Sequence, residues 1–363
     1  MQWSIERTIL VFAAMVWLAI LGVIVGKNVG SGDAAAEEAT ATGTTALLPS
    51  QNGETHTGVV ESTTAAVATG KPAGAATWGV ERVRRSSTAR WPTPSPAPTG
   101  LTYDAKTKTL LLSDGEVDEG PLWSGRNLFV VARNGDLRAA RTLVKAMNEG
   151  EGISWYGPGN VLFVVDDART AIFSFGAGSD GMIGTLDDTV LRLLETERWG
   201  SLNPEGVAFR AQHGRVNMLI WTDAGMRRGD ANRVFAVKRG ADHRFGTDDD
   251  VMSRFSTSAP AFGYTENEGV FYDPRRKSLF LVSSEQCPIF ETTLGGKILR
   301  TIGTSAICAP GTATTGFSDL VFAPGTDGSP RRLYLADHGE DHDPFQRNDN
   351  DGEVYQVKIV AGP

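Results

Sequence analysis

A seven-residue phrase returns five times along this chain, and its spacing leaves few folds open. The copies read Ala97-Pro98-Thr99-Gly100-Leu101-Thr102-Tyr103, Glu149-Gly150-Glu151-Gly152-Ile153-Ser154-Trp155, Asn203-Pro204-Glu205-Gly206-Val207-Ala208-Phe209, Glu266-Asn267-Glu268-Gly269-Val270-Phe271-Tyr272 and Thr315-Gly316-Phe317-Ser318-Asp319-Leu320-Val321-Phe322. Successive copies stand roughly 50 to 63 residues apart, near the period of four-stranded propeller blades and far from that of helical repeats. Each is followed by an apolar run ending in a polar residue: Leu110 to Asp114, Leu162 to Asp166, Leu219 to Asp223, Leu279 to Ser283 and Leu333 to Asp337. A repeat of this kind buries its faces only against its neighbours, so one large repeat domain accounts for the chain better than two or three independent ones.

Within each repeat the phrase reads as strand a and the apolar run as strand b. Strand c falls at Asn127 to Val131, Ala171 to Phe175, Arg233 to Val237 or Ile289 to Thr292, and strand d follows. Period-2 segments such as Val234-Phe235-Ala236-Val237 support strands, and the Gly and Pro between them supply turns. The fold class expected is an all-β propeller of four-stranded blades, five by count. The alternative is six, with a degenerate blade inside the long repeat from Pro204 to Pro260. The last repeat supplies only three strands, and a lone strand at Val80 to Ser87 is expected to complete it, closing the ring between the two ends of the chain and removing open edges.

Upstream, Thr8 to Gly26 is a nearly unbroken apolar run between Arg7 and Lys27. Its length fits a membrane-spanning helix or a long signal-peptide core. Residues 1–27 are therefore read as a signal peptide or N-terminal anchor, 28–78 as an Ala/Thr/Gly-rich spacer too poor in apolar side chains to offset its ordering entropy, and 79–363 as the propeller. The expected location is outside the cytoplasm: periplasmic, cell-surface or secreted, with the membrane as a partner if the apolar segment is retained. A net charge of −8 argues against nucleic acid, whose binding surfaces are basic. The partner expected is a protein, glycan or small molecule, and the chain is expected to be monomeric. Two cysteines, Cys287 and Cys308, share the fourth repeat, and an even count in an exported chain favours a disulfide.

Three acidic constellations carry candidate chemistry. The segment Gly178-Ser179-Asp180-Gly181-Met182-Ile183-Gly184-Thr185-Leu186-Asp187-Asp188 matches Gly240-Ala241-Asp242-His243-Arg244-Phe245-Gly246-Thr247-Asp248-Asp249-Asp250 at its Asp, Gly-Thr and Asp-Asp elements. Hard oxygens on a short Gly-bent loop are what Ca²⁺ prefers, so Asp180, Asp187, Asp188, Asp242, Asp249 and Asp250 are expected to hold structural calcium at the rim. Asp and Gly are also ordinary turn residues, which leaves an ion-free hairpin open. Second, Glu151, Glu205, Glu268 and Asp319 take comparable places in the repeated phrase, with Thr99 breaking the series. Converging carboxylates repel unless a cation or shared protons intervene; the other reading is hydrogen bonding to backbone amides of the next blade. Third, Asp337-His338-Gly339-Glu340-Asp341-His342-Asp343 and Asp114 to Glu119 would adjoin on ring closure. His338 could serve there as a general acid, but two histidines without a helix are a weak zinc signal. Trp155 and Trp221 read as packing residues, Trp123 and Trp199 as better ligand-stacking candidates. No nucleophile elbow, P-loop, Cys-x-x-Cys or dinucleotide fingerprint occurs.

The Pro-Glu-Gly-Val-Ala-Phe phrase with runs ending in Asp resembles NHL, TolB-like and senescence-marker-protein/gluconolactonase propellers, and more closely a group of exported bacterial propellers with Gly-x-Asp-Gly-x-x-Gly-Thr-x-Asp-Asp loops. In the gluconolactonase-like families a divalent cation sits at the central mouth, held by a Glu at the place of Glu205 and by Asn and Asp residues not matched here. The resemblance thus implies a second divalent cation at Glu205, and the shared place of Glu151, Glu268 and Asp319 in the phrase, with Asp337 of the last-blade loop, makes these the further metal or ligand candidates. The expected function is a calcium-binding, exported binding or scaffold module. The alternative is a metal-dependent hydrolase of the lactonase or esterase-like phytase kind with Glu205 and His338 as catalytic candidates.

Overall fold

The computed structural model describes residues 78–115, 125–143, 147, 150–225, 231–258, 260–308, 316–339 and 350–362. The apolar run 8–26 and the spacer, apart from Trp78, lie outside the described residues; among these no helix is long and apolar enough to cross a membrane. A strand β1 (Trp78–Ser87) precedes the first blade, which runs β2 (Pro98–Asp104), β3 (Thr109–Asp114), β4 (Leu128–Ala132), β5 (Leu137–Arg141). The second is β6 (Gly150–Tyr156), β7 (Val161–Asp166), β8 (Ala171–Gly176), β9 (Thr189–Glu195), and the third β10 (Pro204–Gln212), β11 (Arg215–Asp223), β12 (Arg233–Lys238), β13 (Val251–Ser256). The fourth is β14 (Val270–Asp273), β15 (Ser278–Leu281), β16 (Ile289–Thr292), β17 (Ile298–Gly303). The fifth has β18 (Phe317–Ala323), β19 (Arg332–Asp337) and β20 (Glu353–Ala361) in sequence, with β1 as its outer strand.

β1 pairs antiparallel with β20 from Trp78↔Ala361 to Ser87↔Glu353. It also meets β17 in a short parallel bridge at Trp78↔Ile302 and Gly79↔Gly303, which fuses the fourth and fifth blades into one eight-stranded sheet. The long third repeat forms a single four-stranded sheet. The inner strands β2, β6, β10, β14 and β18 adjoin in that order, and β18 returns to β2, closing the ring.

Among the described residues the apolar alternation divides the core into five clusters, one for each seam between blades. In the seam between the second and third blades, for example, Phe163 and Val165 meet Val207, Trp221 and Phe235, with the Trp221 and Phe235 rings stacked at 5.1 Å. Trp221 is wholly buried. The repeated glycine follows from closeness of the inner strands: a Cβ on Gly152 would meet Gly206 Cα at 2.4 Å, and one on Gly206 would lie 2.6 Å from Glu268 O. Backbone touches backbone around a narrow ring, and a residue without a side chain is what permits it. Cys287 and Cys308 are bonded to each other across the fourth blade.

Candidate functional site

Antiparallel order within a blade places the start of strand a, the end of b, the start of c and the end of d at one end of the ring. We call this the head end and the opposite one, with its a-to-b and c-to-d connections, the turn end. The Asp that closes strand b has a clear task at the head end. Asp114 Oδ2 accepts from Ala97 N (3.3 Å), Asp223 Oδ2 from Asn203 N (3.2 Å) and Asp337 Oδ1 from Gly316 N (2.9 Å). Each acceptor fixes the residue just before an inner strand, so the apolar run ending in Asp is in those blades a device for aiming the repeated phrase. Burial pushes Asp337 up to about 7, against the N–H bonds of Gly339 and Gly316 that pull it down.

The inner-strand glutamates cluster electrostatically at this mouth. Glu205 is partly buried and accepts from Asn203 Nδ2 at 2.7 Å. Burial first, then the negative charges of Glu268, Glu151, Asp167 and Glu266, hold its pKa well above the usual carboxylate range. Glu268 and Glu266 both accept from Ser284 Oγ, at 3.0 and 2.9 Å. Glu151 reaches the end of strand b in the preceding blade, where a Cβ on Gly115 would lie 2.2 Å from its Oε1. Asn203 and Glu266 open their copies of the phrase at a position whose residue type varies from copy to copy, and Asp167 and Ser284 follow the ends of their apolar runs, so none of the four was singled out in the sequence.

Asp319 does not belong with these glutamates, and the alignment of the fifth phrase is corrected by one residue. Ser318 stands at the glutamate position and Asp319 at the glycine position, packed against Gly269, whose added Cβ would lie 2.5 Å from Asp319 Cα. Its Oδ2 accepts from Leu101 N of the first blade at 2.7 Å and its Oδ1 from Leu320 N at 2.8 Å, and Ile153 N of the second blade also donates to it. One carboxylate thus ties amides from three blades at the centre of the ring. It is 1% exposed, and burial raises its pKa well above the ordinary value despite those N–H bonds. The extra residue of the fifth phrase concealed this shift.

His338 packs beside Gly316, where an added Cβ would lie 2.6 Å from its Nε2. The remainder of the acidic loop, including His342, and residues 116–124, including Trp123, lie outside the described residues. Trp199 is not an open platform: it packs against the seam between the second and third blades, with the Arg198 guanidinium 5.2 Å from its ring centroid.

The duplicated Asp loops sit at the turn end, away from the glutamates, and each folds upon its own carboxylates. Asp187 Oδ2 accepts from Ser179 N (2.7 Å), Ser179 Oγ (2.8 Å) and Asp180 N (3.3 Å), and its Oδ1 from Thr185 Oγ1 (2.8 Å). These bonds, Ser179 and Thr185 foremost, hold it down at about 2. Asp188 accepts from Gly184 N (2.7 Å), and Asp180 from Met182 N (2.8 Å). The copy repeats this: Asp249 accepts from Asp242 N and Thr247 Oγ1, Asp250 from Gly246 N, and Asp242 from Arg244 N.

The loop tip then grips the preceding blade. Ile183, 3% exposed, enters the cluster of Leu128 and Leu143, and Arg141 Nη1 donates to its carbonyl at 2.8 Å. Phe245 enters the cluster of Leu194 and Trp221, Arg198 Nη1 donates to Gly246 O at 2.9 Å, and Arg198 pairs with Asp248. The sequence held a signal for this in the apolar residue at the same place of both copies.

The residues present do not fit a preformed cation seat. The loop carboxylates are turned into loop N–H and O–H donors, Asp319 is taken up by amides, and among the described residues no three Asp, Glu, His or Cys side chains stand together as an ion would need.

No family model matches the sequence, and no curated protein matches it. Among solved structures, a nidogen/laminin complex is similar at 15% identity over 73% of this chain and 86% of that one, TM-score 0.42. A luciferin-regenerating enzyme is similar at 13% identity over 77% and 95%, TM-score 0.45, and a gluconolactonase from Xanthomonas campestris at 16% identity over 79% and 99%, TM-score 0.40. These likenesses are faint and transfer no chemistry.

Proposed function

We propose that this chain is an exported β-propeller binding module, and that its ligand face is the acidic mouth at the head end, which takes a positively charged group. The observation that carries the reading is the gathering of carboxylates at that mouth: Glu205 accepts from Asn203 and has its pKa raised by burial and by the charges of Glu268 and Glu151 in the neighbouring blades, and Glu268 and Glu266 meet at Ser284 Oγ. A cation arriving among these carboxylates offsets their mutual repulsion and lowers the proton affinity of Glu205. The hydrolase reading is the weaker one, since it requires a water-activating ion and, among the described residues, the glutamates do not stand together as a seat for one.

The test is calorimetric titration with tetralysine, and separately with Ca²⁺, in buffers of different ionisation enthalpy. Binding of the cationic probe should release a proton, tighten as pH rises through the titration of Glu205, and lose that pH dependence in Glu205→Gln. Binding without proton release, equally strong in the variant, would remove the mouth from consideration.

A further inference from the structure

The a-to-b turns carry a device that is complete in one seam and unfinished in another. In the seam between the fourth and fifth blades, Arg331, the residue before β19, lays its guanidinium 3.9 Å from the ring centroid of Phe322. It also donates to Asp273 of the preceding blade, Nη2 to Oδ2 at 2.7 Å and Nη1 to Oδ1 at 3.4 Å. Phe322 lies three residues beyond Asp319 on its inner strand, and Asp273 four beyond Gly269.

The seam between the first and second blades has both partners of that guanidinium and lacks the guanidinium itself. Trp155 lies three residues beyond Gly152, and Asp104 four beyond Gly100. The counterpart of Arg331 is Asn160: each immediately precedes a six-residue strand b ending in Asp, at Asp337 and Asp166. Its short side chain leaves a cleft of about 340 Å³, lined among others by Tyr103, Asp104, Lys106, Trp155, Gly157 and Asn160. That volume is at the lower end of small-ligand sites. A Cβ on Gly157 would already lie 3.3 Å from Trp155 Nε1, so the Gly-Pro-Gly turn keeps the indole uncrowded. In the next seam Tyr156 occupies this space, its ring edge-on to Phe209 at 5.4 Å and its hydroxyl donating to Gly214 O.

Asp104 retains capacity. Its Oδ1 accepts from Lys106 N (2.9 Å) and Trp155 Nε1 (3.2 Å), and its Oδ2 from Thr107 Oγ1 (2.6 Å). An ionised carboxylate offers about four acceptor positions, so one on Oδ2 is left. The Lys106 side chain at the rim does not forbid a second cation, for Asp273 accepts Arg331 with Arg276 also 3.7 Å away.

We propose that this cleft is a seat for a guanidinium group supplied by another molecule, stacked on Trp155 and bonded to Asp104 Oδ2, as Arg331 is on Phe322 and Asp273. A planar, weakly hydrated guanidinium suits both contacts; the compact, strongly hydrated ammonium of lysine does not. The site is independent of the acidic mouth, which lies at the other end of the ring.

The experiment uses the full chain and follows binding of N-acetyl-arginine methylamide, methylguanidinium and N-acetyl-lysine methylamide by NMR titration. The arginine probe should bind at least about tenfold more tightly than the lysine probe, and Asp104→Asn should weaken it about tenfold or more, a single charge-assisted contact's worth. Asn160→Arg supplies the guanidinium within the chain and should abolish binding, whereas Asn160→Lys, which bears the same cost of a left-handed backbone at φ 49°, should retain it, and this pair separates a blocked seat from a damaged fold. Equal binding of methylguanidinium alone assigns the seat to small guanidinium compounds; a need for the flanking amides assigns it to a protein arginine. The proposal falls if lysine binds as well as arginine, if binding survives Asp104→Asn or Asn160→Arg, or if no probe binds by about 50 mM.

Discussion

Asp319 and Asp187 are both aspartates with each carboxylate oxygen engaged by donors, and they differ in which way their proton affinity has moved. Asp319, at the centre of the ring, accepts amides from three blades and yet is raised, burial being the larger influence. Asp187, on an exposed loop at the turn end, accepts from Ser179, Thr185 and Asp180 and is lowered to about 2. Water decides between them: where it is excluded, desolvation of the charge outweighs several hydrogen bonds, and where it is present the hydrogen bonds prevail. A count of hydrogen bonds therefore does not identify an ion site or a catalytic group. This propeller uses aspartate as a buried hub and as an exposed loop staple according to local exposure.

The largest effect should come from breaking the hub. Asp319→Leu leaves amides of Leu101, Ile153 and Leu320 without their acceptor and is expected to cost about 3–5 kcal/mol in denaturant unfolding. Asp319→Asn, which retains one acceptor oxygen, should cost less than half of that. A loss below about 1 kcal/mol for the leucine variant would show that the hub is dispensable.

Next come the loop tips at the turn end. Phe245→Ala should cost about 3–4 kcal/mol and Ile183→Ala about 2–4 kcal/mol, the range for truncating buried side chains of these sizes. Asp187→Ala should cost less than either, and melting curves with and without a chelator should coincide. A chelator-sensitive midpoint that Asp187→Ala and Asp249→Ala abolish would turn the loops back into calcium sites.

Asp337 probes the head end by pH. Its folded value of about 7 exceeds the ordinary unfolded value of about 4, so between these pH values the folded state holds a proton that the unfolded state has lost. Stability therefore falls as pH rises through that window, and Asp337→Asn should flatten the slope, an effect on the order of 1–3 kcal/mol. A slope unchanged in the variant would assign it to other groups, Asp319 and Glu205 first.

The smallest effect belongs to Asp187, where the sign is opposite. Its depressed value means that the stabilisation is present above about pH 4 and is lost as pH falls toward 2. Asp187→Asn should make the acid limb of a melting-midpoint titration shallower by a few degrees at most, since the group is exposed. A steeper limb in the variant would contradict the assigned bonds.

Much of the architecture was legible in the residues because propeller strands are short, local and alternating. The phrase ending at Phe209 and the run ending at Asp223 are neighbouring hairpin strands, and their register follows from period 2. The closing strand was legible because the last repeat lacked one and β1 supplied an unpaired match. The site was less legible. Glu151, Glu205 and Glu268 were found by alignment, but Asp319 was placed one residue out, since only the packing against Gly269 shows that it replaces a glycine. The Asp loops invited an ion reading because composition reports oxygens and not where they point.

What the sequence determined by itself is the periodic part: the repeat, the strands within it and the completion of the last blade by the first strand. These depend on interactions between residues close along the chain, or on a pattern repeated often enough to average out exceptions. What only the tertiary structure decided is the relation between residues one or more blades apart. Asp319 meets Leu101 across 218 positions of sequence, Glu205 sits in the field of Glu151 and Glu268, and Trp155 and Asp104 share an open seam that Arg331 fills elsewhere. Such contacts are set by how the blades pack around the ring, and the burial and pKa of each carboxylate follow from that packing.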